Sequence, residues 1–305
     1  MQKIIRKITM LFIAAGLAVG LIGCKAEKNA AVNEPIQIAT KPMTEQYILG
    51  EMLKQLIETD TNYTAEITKG IGGGTSNIQP AMEKGEFDLY PEYTSSGWVM
   101  VLGHQADDVA DGEMFAKLNE EYNENYDMSW IGLYGFNNTF AVVARKEAAD
   151  RYQLKTTSDA AAVSGELVFG GNPDYLERED GFPVLCETYG LNFKDVKDID
   201  IGLKYEAMSA GDIDVTNGYT TDAQISGDGV VVLEDDKHLQ VNYFCSTVVR
   251  NEALEKYPGL KEVLMKMNGI LSDKDMSRLN YEVEVEGRDE ASAARDFLVS
   301  KGLVK

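Results

Sequence analysis

Short apolar runs separated by polar turns recur along the chain. Ile36-Gln37-Ile38-Ala39 reads as a buried strand, and after Lys41-Pro42 the residues Leu49, Met52, Leu53, Leu56 and Ile57 fall at helical spacing. Ala65–Thr68 predicts a second strand, Gly72-Gly73-Gly74 breaks it, and Thr75 or Ser76 can cap a helix running to Lys84. Phe87–Tyr90 then resumes a strand. The same grammar continues with strands at Phe140–Ala144, Glu166–Phe169, Ile213–Thr216, Val230–Leu233 and Cys245–Val249, and a helix at Tyr205–Ala210. Leu260, Val263, Leu264 and Met267 mark a C-terminal amphipathic helix. Strands alternating with helices predict an α/β protein whose sheets are mostly parallel and covered on both faces.

The start of the chain follows a different pattern. Lys3, Arg6 and Lys7 precede a mostly apolar run from Ile8 to Ile22, the layout of a secretory signal peptide over residues 1–23. A membrane anchor is the alternative, but fifteen residues fall short of the roughly 20 needed to span a bilayer. Leu21-Ile22-Gly23-Cys24 resembles the bacterial lipobox, which makes Cys24 the expected site of lipidation and the protein extracytoplasmic and lipid-anchored to the cell membrane. Residues 24–35 are polar and Ala-rich without periodicity, as a flexible tether requires. About 270 residues remain, enough for two lobes with cores of their own.

Composition narrows the function. The chain has 29 Lys+Arg against 50 Asp+Glu; without the leader's three basic residues the charge is about −24, which disfavours nucleic acid as a partner. The acidity is diffuse, as on a solvated surface, and favours cationic ligands only weakly. With only His104 and His238, neither in a recognisable elbow or metal spacing, a His-based enzyme is disfavoured, and no metal or cofactor is expected. Carboxylate pairs such as Asp107-Asp108 and Asp235-Asp236 carry little information in so acidic a chain. Gly70 to Ser76 lacks the Gly-Lys-Ser/Thr ending of a phosphate cradle and reads better as a tight turn needing positive φ, with a place in a ligand cleft left open. Cys186 and Cys245 either pair or stand as two separate buried thiols.

Aromatic residues sit at segment ends beside polar turns: Tyr90-Pro91-Glu92-Tyr93, Asn137-Asn138-Thr139-Phe140, Gly218-Tyr219-Thr220-Thr221-Asp222 and Asn242-Tyr243-Phe244. Loops at strand ends are where α/β lobes hold ligands. With Lys41-Pro42-Met43-Thr44-Glu45-Gln46 and Arg178-Glu179-Asp180-Gly181, these motifs make the chain resemble, from about Ile36 to Leu303, the glycine betaine/choline (osmoprotectant) binding proteins of ABC importers. The resemblance implies a two-lobed periplasmic-binding-protein fold of type II character with ligand in the interlobe cleft. Lobe 1 then comprises 36–138 and 245–305, and lobe 2 comprises 139–244.

It also implies an aromatic cage for a trimethylammonium group at Tyr93, Phe140, Tyr219 and Tyr243, with Phe140 in place of the usual tyrosine. A quaternary ammonium has no N–H to donate and spreads its charge over methyl groups, so π-faces suit it. Arg178 matches the position that grips a betaine carboxylate, while Ser96, Asn138 and Gln46 match polar pocket positions. Ser96 places no carboxylate in the cage, which leans towards glycine betaine over choline, with carnitine also open. The expected partners are such a solute and an ABC permease with its ATPase, and the expected state is monomeric. An osmolyte-sensing module, an amino-acid-binding protein and a secreted enzyme on the same scaffold are the rival readings.

Overall fold

The computed structural model describes residues 34–105, 109–177, 181–200 and 202–305. The predicted signal peptide, Cys24, nearly all of the predicted tether, Asp107-Asp108 and Arg178 lie outside these residues. No helix among the described residues is long and apolar enough to cross a membrane.

The chain runs β1 (Ile36–Ala39), α1 (Thr44–Asp60), β2 (Ala65–Thr68), α2 (Thr75–Glu83), β3 (Leu89–Tyr93), α3 (Asp111–Tyr126) and β4 (Met128–Asn137). It continues through β5 (Phe140–Arg145), α4 (Lys146–Tyr152), α5 (Thr157–Ala162), β6 (Val168–Gly171), α6 (Pro173–Glu177), α7 (Phe182–Tyr189), β7 (Asp195–Asp198), α8 (Lys204–Ala210), β8 (Val215–Tyr219) and β9 (Val230–Leu233). β10 (Phe244–Arg250) and four helices follow: α9 (Asn251–Lys256), α10 (Leu260–Leu264), α11 (Asp273–Glu284) and α12 (Glu290–Ser300).

These strands form two five-stranded sheets, ordered β2-β1-β3-β10-β4 and β7-β6-β8-β5-β9. The expectation of mostly parallel sheets is corrected: both are mixed. β1 runs parallel to β2 and β3, but β10 is antiparallel to β3 and β4. In the second sheet β6 is parallel to β7 and β8, whereas β5 is antiparallel to β8 and β9. The first sheet takes a strand from late in the chain, β10, and a strand that returns after a long excursion need not enter in the direction of its neighbours.

Each sheet is sealed by amphipathic helices. On α1, Ile48, Leu49, Met52, Leu53, Leu56 and Ile57 are fully buried, the i, i+3, i+4 stripe that its spacing predicts. Beside the first sheet Tyr122 packs edge-to-face on Trp130, centroids 5.3 Å apart, and beside the second Phe169 gathers Phe182 and Phe193. Cys186 and Cys245 are both free thiols.

The Gly-rich segment is the turn its composition predicts, with Gly70, Gly73 and Gly74 at positive φ. Gly74 rather than Thr75 or Ser76 occupies the N-cap, without a side-chain cap. Thr75 opens the helix and gives its hydroxyl to buried Glu92 at 2.7 Å. The single C-terminal helix expected around Leu260–Met267 is a short helix and a 3-10 turn, followed by α11 and α12.

Candidate functional site

β3, β5 and β8 each end or begin at an aromatic residue, and these ends meet at one cavity of about 470 Å³. Tyr93 closes β3, Phe140 opens β5, Tyr219 closes β8, and Tyr243 stands one residue before β10; all four line the cavity. Phe140 and Tyr219 are directly opposed in the β5/β8 ladder, and their rings stack with centroids 5.1 Å apart. Their meeting is therefore a register effect, since opposed side chains on one face of an antiparallel pair lie within contact distance.

Asn138, between β4 and β5, and Ser96, at the start of a π-helical turn over Ser96–Val101, line the same cavity. π-turns are uncommon and concentrate at functional sites. Gln46 is fully buried and is not a lining residue; its Oε1 accepts from the Lys41 backbone N–H at 3.5 Å. No Gly-rich turn residue reaches the cavity wall. His104 pairs instead with Glu121 at 2.8 Å and stacks on Trp98, while His238 lines a neighbouring cavity of about 360 Å³ that shares Phe140.

The wall also carries charges that the sequence reading did not place there. Lys41, Glu45, Asp222 and Glu284 all line the cavity, so the expectation of a cage without an acidic partner is corrected. Lys41 is buried and ion-paired with Glu92, which also accepts from Thr75, and its Nζ lies 4.7 Å from the Tyr93 ring centroid. Asp222 accepts from Lys204 Nζ at 3.1 Å, Tyr205 Oη at 2.6 Å and the Tyr219 backbone N–H at 3.1 Å. Lys204 lies behind Tyr219, 5.9 Å from its centroid. Two of the four rings thus have a protein cation against them, Lys41 held by buried Glu92 and Lys204 by half-buried Asp222.

Glu45 differs from these acids because no basic side chain among the described residues pairs with it. Its Oε1 accepts from Tyr93 Oη and from Asn138 Nδ2 at 2.9 Å, while Oε2 receives Asn280 Nδ2 from α11 at 3.4 Å. Burial pushes its carboxyl above the ordinary carboxylate range, against hydrogen bonds from Tyr93, Thr221, Asn138 and Asn280 that pull it down. Burial, and then the Glu45 charge, hold the Tyr93 phenol well above its usual value, so it stays neutral and donates.

A signal for Glu45 exists in the sequence. It lies three, four and seven residues before Ile48, Leu49 and Met52, on the apolar stripe of α1, where an acid is out of place unless it has a task. Asn280 has the same signature on α11, four residues after buried Met276 and next to Leu279.

Residues 34–300 match the family model described as the substrate binding domain of the ABC-type glycine betaine transport system. The chain is 39% identical over 293 residues to a Helicobacter pylori ergothioneine transport permease/ergothioneine binding protein, covering 96% of this chain and 52% of that one. It therefore spans about half the length of that relative. It is 34% identical over 268 residues to the carnitine transport binding protein of Listeria monocytogenes, covering 87% of this chain and 86% of that one. A crystal structure described as a glycine betaine/carnitine/choline ABC transporter superposes with a TM-score of 0.81 at 31% identity, over 88% of this chain and 99% of the other. Ligand-free YehZ from Escherichia coli, 24% identical, shares the fold with a TM-score of 0.77 over 89% of this chain and all of that one. With its paired mixed sheets and the aromatic cavity at their strand ends, the chain belongs to the family of substrate-binding domains of ABC-type glycine betaine transport systems.

Proposed function

We propose that this protein captures a quaternary-ammonium solute between two lobes and delivers it, chemically unchanged, to an ABC permease and its ATPase. The observation that carries the reading is the convergence of Tyr93, Phe140, Tyr219 and Tyr243 on one cavity whose wall also bears Glu45. Cation–π attraction supplies about 0.5–2 kcal/mol per ring, and the acidic wall adds a favourable field for a positive group. The relatives' names give ergothioneine, carnitine and glycine betaine, and all three compounds carry a trimethylammonium group.

Lobe boundaries at 138 and 245 are supported by the sheets. One draws its strands from 36–137 and 244–250, the other from 140–233, and the cavity takes residues from both. Phe140 keeps a ring face where the usual tyrosine would add a hydroxyl, and Arg178 remains the proposed partner of a ligand carboxylate. Gln46 supports the site indirectly, by bonding the backbone of Lys41. Lipidation at Cys24 tethers the monomer outside the cytoplasm in this reading; Cys24→Ser is expected to release it from the membrane fraction.

The test is calorimetric titration of the purified chain with glycine betaine, choline, carnitine and ergothioneine, beside Tyr219→Ala. Tight binding of a trimethylammonium compound, weakened about tenfold or more by Tyr219→Ala, is the expected result. Binding of none of them, or binding indifferent to that substitution, would refute the cage.

A further inference from the structure

We propose that Lys204 is a specificity-determining residue: a cation held behind the Tyr219 ring that lowers the affinity of the cage for bare cations relative to zwitterionic betaines. This rests on the quaternary-ammonium reading above. It goes further by naming a residue outside the cavity wall and the solute charge that it selects.

Lys204 opens α8, is only 6% exposed and is absent from the described residues that line the cavity. Its Nζ donates to Asn217 O and to Asp222 Oδ2, both at 3.1 Å. Asp222 does line the cavity, so this ion pair stands with its carboxylate at the wall and its ammonium behind. The Lys41–Glu92 pair is turned the other way, because Lys41 lines the wall and Glu92 does not. Lys204 Nζ lies 5.9 Å from the Tyr219 ring centroid and 5.0 Å from that of Tyr205.

The position is unfavourable for a lysine on local grounds. Burial disfavours an ammonium, and the first residue of a helix stands beside N–H groups whose partial charges are positive. Nor is Lys204 the sole donor to Asp222, since the same oxygen accepts from Tyr205 Oη at 2.6 Å and from the Tyr219 N–H at 3.1 Å. Gly218 makes room for that arrangement, because a Cβ there would lie 2.8 Å from both Tyr205 Oη and Val143 Cγ2. Burial, and then the Asp222 charge, hold the Tyr205 phenol well above its usual value, so it stays a neutral donor to Asp222.

What the lysine adds is charge. The described wall bears Glu45, Asp222 and Glu284 against Lys41 alone, and the whole chain is strongly acidic, a field that attracts any cation. Lys204 opposes that field at the ring. A trimethylammonium group within about 6 Å of the Tyr219 centroid is on the order of 10 Å from the lysine ammonium, where two like charges still repel through a partly desolvated wall. The carboxylate of a zwitterion is attracted by the same lysine and recovers part of that loss. Choline has no carboxylate and recovers none.

The experiment titrates the purified chain and its Lys204→Gln, Lys204→Met and Lys204→Arg variants calorimetrically with carnitine, ergothioneine and choline. Removing the charge with Gln or Met is expected to tighten choline about 2- to 15-fold and the two betaines by less, the scale of unit charges about 10 Å apart at effective dielectric constants from about 80 to 20. Lys204→Arg keeps the charge and is expected to keep the wild-type order of solutes. A lysine that only braces Tyr219 gives the opposite sign, with every solute weakened in both neutral variants. That uniform loss, an equal gain for all three solutes, or no gain for choline in either neutral variant overturns the inference and leaves the cage intact. Melting curves verify folding; where Lys204→Met does not fold, Lys204→Gln, which keeps a donor for Asn217 O, carries the comparison. Failure of the wild type to bind any of the three refutes the cage and this inference with it.

Discussion

Individual side chains at this site are arranged by pairing buried charges and leaving one acid over. Glu92 is fully buried and accepts from Lys41, Thr75 and the Tyr93 backbone, so the ring of Tyr93 stands on a polar platform. Removing the cation with Lys41→Met strands that carboxylate in a low dielectric. The expected loss is about 3–5 kcal/mol, read as a lower denaturant midpoint at unchanged slope. A loss below about 1 kcal/mol would mean that water reaches Glu92. Aromatic and polar residues at strand ends marked the ligand loops in the sequence, while the assignment of Tyr93, Phe140, Tyr219 and Tyr243 to a cage and of Ser96 and Asn138 to the pocket came from the family resemblance. Glu45 was passed over for its neighbour Gln46, because two adjacent helical residues point about 100° apart and only packing shows which of them meets the cavity.

Among the elements, the strands were more legible than the last helices. β1, β2 and β9 occupy the spans that their apolar runs predict, and β5 and β10 extend theirs by one or two residues. α11 escaped because its sequence is strongly polar, with Met276 and Leu279 its main buried apolar anchors. Its start is fixed by a capping box between Ser272 and Asp275, a motif readable in hindsight. This helix matters because it brings Asn280 to Glu45, and its approach is held by β4: Leu271 N–H bonds Tyr134 O at 3.0 Å, and the Asn137 N–H bonds Asp273 at 2.7 Å. Gly135 permits that contact, with φ at +111° and a position where a Cβ would lie 2.4 Å from Leu271 O. Gly135→Ala is expected to cost about 3 kcal/mol or more, and to weaken solute binding in the fraction that folds. Melting curves with and without carnitine check both effects; a neutral substitution would show that α11 docks without this contact.

At the scale of the whole molecule, binding in a cavity shared by both sheets stabilises the folded state by mass action. Carnitine at about a hundred times its Kd is expected to add about 2.7 kcal/mol, seen as a rise in Tm of several degrees that Tyr219→Ala loses at the same concentration. An unchanged Tm at saturating carnitine would show that this solute is not bound. By itself the sequence determined the α/β class, the position of many strands, the acidic character and the strand-end aromatics, because hydrophobic periodicity and turn chemistry are local properties. Tertiary structure decided the rest. The direction in which β10 enters its sheet, the opposition of Phe140 to Tyr219, the commitment of Lys41 to Glu92 and the absence of a described cation beside Glu45 all depend on which distant residues share one space. Burial makes such pairings strong where they form and costly where they fail, and no local pattern records them.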